Sequence, residues 1–116
     1  MAKAVITNSV NSELPDSVVA HHCREFGEVQ ETLKLLSLDA VPGSAEEKAN
    51  DALNMELYYR ELIVAGSIAE ARATTLLGHQ ARAIACQRAR EFVGETWMES
   101  DSIILILGSL VRDLAA

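Results

Sequence analysis

Three arginines, Arg82, Arg88 and Arg90, make one stretch locally basic in a chain of seventeen acids and ten bases. Guanidinium groups at that density suit a pocket for an anionic ligand or an acidic partner, because their planar donor forks match carboxylate and phosphate oxygens. His21, His22, Cys23, His79 and Cys86 supply atoms able to ligate a metal. Adjacent residues on a helix point in different directions, however, and no Cys-x₂-Cys or His-x₃-His pair occurs, so a zinc site is not expected. Cys23 falls on an apolar stripe, where a thiol serves as a small hydrophobe.

Two acidic segments carry a different chemistry: Arg24-Glu25-Phe26-Gly27-Glu28, and after it Glu46-Glu47-Lys48-Ala49-Asn50-Asp51. Over about the first half of the chain this resembles the MazG-type all-α nucleotide pyrophosphohydrolases, in which a Glu-Glu-x-x-Glu and a Glu-x-x-Asp motif lie on successive helices. The resemblance implies Mg²⁺ held against a nucleoside triphosphate, a role suited to hard carboxylate oxygens. Glu25, Glu28 and Asp51 would be the ligands. Arg24 and Lys48 stand where the family has Glu, and Glu47, one turn before Asp51, offers a replacement. Arg72 and His79, with six residues between them, resemble the Arg-x₄₋₆-His spacing of HEPN-type ribonucleases, which implies action on a scissile phosphate.

These residues need elements to position them, and the composition names the kind. In 116 residues, 49 % are apolar and only 4 % aromatic, enough for one core built mainly from Leu, Ile, Val and Ala. Leu and Ala favour helix. The formal net charge of −7 repels a phosphate backbone, which disfavours nucleic acid as a partner. No basic start followed by an apolar stretch and a cleavage site is present, and the longest apolar run, Ile103 to Leu107, is far short of a membrane span. A cytoplasmic protein with reduced thiols and no membrane association is expected.

Residues 1–13, with β-prone Val5-Ile6-Thr7, read as a short extended N-terminal arm, and residues 14–116 as a single helical domain. A first helix starts near Pro15, with Val19, Cys23, Phe26, Val29, Leu33 and Leu36 on one face, and stops before Pro42-Gly43. Ser44 and Glu47 form a capping box for a second helix with an apolar stripe of Ala52, Met55, Tyr59 and Leu62. That helix either ends at Gly66, with a new one capped by Ser67, or runs to about Arg72, with Thr74 or Thr75 capping the next. The inner face of the next is expected at Leu77, Ala81, Ala85, Ala89 and Phe92, and Gly94 stops it. The last helix, Ile103 to Leu114, is apolar on so many sides that one neighbour cannot cover it.

The sequence therefore predicts an all-α fold, a small bundle of about four helices. Excess apolar surface on the last helix points to a non-enzymatic interaction protein that self-associates or takes a protein partner, with Ile103, Ile104, Ile106, Leu107 and Leu110 at the interface. No cofactor is implied, except Mg²⁺ under the hydrolase resemblance.

Overall fold

The first helix, α1 (Pro15–Asp39), buries Val19, Cys23, Phe26, Val29 and Leu33, the face given by the spacing of its apolar residues. Leu36 is half-buried. A computed structural model describes residues 15–39 and 42–116, apart from the side chains of Pro15 and of residues 37–39. The arm expected over residues 1–13 lies outside the described residues.

Helix α2 (Ala45–Glu70) begins at an N-cap on Ser44, whose hydroxyl accepts from the Glu47 backbone N–H at 3.1 Å. The Glu47 carboxylate reaches back to the N–H of Gly43 at 2.9 Å, which adopts φ +80° in the turn from α1. The helix runs unbroken through Gly66 to Glu70. Residues 71–75 lead into α3 (Leu76–Val93), with Thr75 at the N-cap. Gly94, at φ +86°, closes α3 by donating to the Arg90 carbonyl at 2.9 Å. A 3₁₀ turn (Trp97–Glu99) then leads to α4 (Asp101–Ala115), capped by Ser100.

Four helices are formed, with no strand among the described residues. Helix α1 packs against α2 and α3, and α4 packs against the same two. Ser102 meets Glu61 and Arg112 meets Ala69, so α2 and α4 run side by side in one direction. The core combines Val19 and Phe26, Val64 and Ile68, Ala85 and Ala89, and Ile103 and Ile106. At about 1.5 Å per residue α1 and α2 are each nearly 40 Å long, well beyond α3 and α4. The start of α4 lies level with Glu61, so the turn end of the α1/α2 hairpin projects past the other two helices, and the described residues span 60 × 34 × 17 Å.

The expected face of α2 is turned, that of α3 is kept in part, and on α4 only one of several apolar sides is covered. On α2 the stripe Ala52, Met55, Tyr59 and Leu62 is exposed, and Glu61, Val64, Ala65 and Ile68 face inward instead. On α3 the expected Ala85 and Ala89 are buried and Ala81 and Phe92 half-buried, whereas Leu77 is exposed and Gly78 and Arg82 are buried instead. On α4 Leu107 and Leu114 are exposed, and the inner face is Ser102, Ile103, Ile106, Ser109 and Asp113. In α3 and α4 the inner face includes a charge that apolar spacing does not place there: Arg82 and Asp113 form an ion pair in the interior.

Candidate functional site

The densest polar chemistry lies at the end of the bundle where α2 leads into α3. Asp113 reaches this point from the last turn of α4, a position opposed by the negative helix end and held by neighbouring Arg112 together with tertiary partners. Its Oδ1 accepts from Arg72 Nε at 3.0 Å and Arg112 Nε at 2.8 Å. Its Oδ2 accepts from the Ala73 N–H at 2.7 Å and from Arg82. Hydrogen bonding from Arg112 holds this carboxyl far below the usual range, and the bonds from Arg82 and Ala73 add to it against the opposing effect of burial. Arg82 is 0 % exposed and also donates to the carbonyls of Ile68, in the last turn of α2, and Ala71, the residue just beyond it. Arg112 bonds the carbonyls of Ala69 and Ala71. These arginines thus cap the C-terminus of α2 with their side chains.

A second carboxylate does the converse for α3. The Thr75 hydroxyl donates away from its own helix, to Asp16 Oδ2, and Asp16 supplies the capping oxygens from α1. Its Oδ1 accepts from the Thr74 N–H at 3.0 Å, and Oδ2 from the N–H groups of Thr75 and Gly78 at 2.9 and 3.0 Å. Burial alone would raise the Asp16 pKa, but the hydrogen bonds from Thr75, Thr74 and Gly78 outweigh it and hold it at about 2. Both carboxylates are saturated by donors from this same protein, so chemically the cluster fastens helix ends.

The residues singled out in the sequence are dispersed. Arg82 is consumed in the interior, which removes it from any ligand pocket. Arg90 stacks over the Trp97 ring at 5.3 Å, and Arg88 lies on the rim of an open groove of about 920 Å³ between α1 and α3. Cys23, Phe26 and Ala85 line that groove, and Glu28 and Arg24 stand on its opposite side. Burial pushes the thiols of Cys23 and Cys86 up to about 11, which keeps them protonated at neutral pH.

Glu25 bonds Arg60 at 3.2 Å and lies 3.3 Å from His22, Glu47 caps α2, and Asp51 is exposed. Among the described residues Glu25, Glu28, Glu47 and Asp51 form no group whose oxygens converge, so they do not fit a shared Mg²⁺. Arg72 is engaged by Asp113, and His79 sits in the first turns of α3 with its Nδ1 buried and unpartnered. Among the described residues no helix is long and apolar enough to cross a membrane.

No protein-family model, curated protein or solved structure matches this chain. What bears on its function is its own geometry.

Two polar groups escaped the sequence reading and matter to stability. Asp113 carried a signal, an acid in the last turn of a helix beside Arg112. Glu61 carried none. It is buried on α2, accepts from Ser102 Oγ at 3.3 Å and bonds Gln30, polar but uncharged partners, and burial raises its pKa. A raised carboxyl favours folding below its unfolded pKa and loses that advantage as pH rises through the folded value. Glu61→Gln should therefore raise the melting temperature at pH 7, with the gap to the wild type closing below about pH 4.3. Thermal unfolding of both proteins across that range checks this.

Proposed function

We propose that this chain is a non-enzymatic helical interaction protein and that its partner is a second copy of itself, seated on α4. The observation carrying this reading is a second apolar face on α4. Ile103 and Ile106 belong to the protein's own core and Leu110 is half-buried, which removes Ile103 and Ile106 from the expected interface. Ile104, Leu107, Val111 and Leu114 remain, 40–62 % exposed and spaced three, four and three residues apart. That spacing is the heptad seam by which helices pair. The seam carries no charge of its own to select a complementary partner, and a two-fold contact lets identical seams cover each other. Gly108 beside it has nothing within 4 Å of where a Cβ would lie, so a facing helix can approach closely.

Helix α2 carries a further seam, Met55, Tyr59 and Leu62, flanked by exposed Tyr58 and Ile63. Exposed apolar faces of this kind mark surfaces that contact another protein.

Sedimentation equilibrium should give twice the 12.6 kDa mass of one copy at high concentration. Association should strengthen with added salt, since two copies of net charge −7 repel each other. Leu107→Asp with Val111→Asp should return the monomer mass while helicity by circular dichroism is kept. Met55→Lys with Tyr59→Lys should leave the dimer intact. Monomer mass alone at every concentration, or loss of the dimer only with the α2 pair, would refute the assignment to α4.

A further inference from the structure

His21, His22 and Glu25 lie on α1, His21 exposed and the other two half-buried, with Glu25 bonded across to Arg60 of α2. Adjacent residues on a helix start about 100° apart, yet here the two imidazole rings lean together, with centroids 5.5 Å apart and planes tilted by 58°. Glu25 is one turn further on, at three and four residues from the two histidines, and so stands beneath both. One nitrogen from each ring and one carboxylate oxygen all lie within 4.8 Å of one another. Among the described residues no other group of three such side chains gathers this closely.

We propose that His21, His22 and Glu25 bind a divalent transition-metal ion of the zinc class. Metal–ligand bonds of about 2.0–2.2 Å in tetrahedral geometry set ligand atoms about 3.4 Å apart. The Glu25 to His22 separation is already 3.3 Å, and rotation of exposed His21 closes the remainder. Two imidazoles and one carboxylate favour zinc over magnesium or calcium, which prefer all-oxygen shells. The fourth position faces solvent and takes water.

Arg60 of α2 donates to Glu25 Oε2 at 3.2 Å, leaving Oε1 on the histidine side. It is a positioning residue, fixing the carboxylate as outer partners of metal ligands do. Its charge is 60 % exposed and screened, and the protein's net −7 attracts cations. Cys23, the next residue, points into the core and does not compete. The divergence that helix geometry gives neighbouring histidines is offset here, because long side chains gathered over Glu25 bend back together.

Titration of tag-free protein with zinc chloride by calorimetry should show one ion per chain with micromolar affinity. His21→Ala with His22→Ala, and separately Glu25→Gln, should weaken it at least about ten-fold, with helicity retained. His79→Ala and Cys86→Ser should leave it unchanged, and cobalt bound in place of zinc should give the visible absorption of a four-coordinate nitrogen and oxygen site. No uptake at 100-fold excess zinc, uptake indifferent to the double histidine variant, or loss with His79→Ala or Cys86→Ser would overturn the proposal.

Discussion

Asp113→Ala should be the most damaging single substitution in this protein, costing about 3–5 kcal/mol, the usual consequence of leaving a buried charge without its partner. The charge left behind is the Arg82 guanidinium, 0 % exposed, with Nε already lacking a partner. Arg72, Arg112 and the Ala73 N–H lose an acceptor at the same time. Burying two charges is itself expensive, so removing both should cost less than removing one. Asp113→Ala combined with Arg82→Met should therefore recover part of the loss in urea denaturation. The pH dependence has a fixed sign. The Asp113 pKa is depressed in the folded state, so its contribution is complete above the ordinary carboxylate range and is lost as pH falls through it and beyond. A double variant no more stable than Asp113→Ala would contradict this account.

Gly78→Ala should destabilise by about 1–3 kcal/mol, although Ala is worth about 1 kcal/mol more than Gly inside a helix. The backbone of Gly78 is ordinary helix, and the constraint is space. A Cβ there would lie 2.6 Å from the Ala73 Cβ and 2.6 Å from Asp16 Oδ2. Relief requires Asp16 to withdraw, which uncaps Thr74, Thr75 and Gly78 together. Chemical denaturation should show the loss, and amide exchange should quicken at those three residues before the middle of α3. Because Asp16 titrates at about 2 when folded, the difference between variant and wild type should shrink as pH drops from about 4 towards 2. Gly66→Ala, where a Cβ has nothing within 4 Å, is the control and should not destabilise.

The helices were legible in the sequence because their ends carry local chemistry. Pro42-Gly43, Ser44 with Glu47, and Gly94 each act on the backbone within a few residues, and helix ends fall at each of them. The α1 face was legible because that helix buries one simple stripe. Helix α2 displays two apolar faces, and spacing alone does not say which of them is covered on folding. Helices α3 and α4 turn Arg82 and Asp113 inward, residues that hydrophobic periodicity assigns to the outside. Their partnership spans 31 positions, and that of Asp16 with Gly78 spans 62, so neither leaves a local trace. The gathering of His21, His22 and Glu25 depends on side-chain rotation, which helix spacing permits without dictating.

The projecting α1/α2 hairpin also changes how this protein travels. The described residues have a radius of gyration of 16.9 Å, where as many residues packed as a ball have about 13 Å. A rod-like particle experiences more friction than a sphere of equal mass, so a single copy should emerge early from a sizing column, at the position of a larger globule. Elution volume therefore overstates its mass, and light scattering or sedimentation equilibrium, which weigh the particle regardless of outline, distinguish one copy from two.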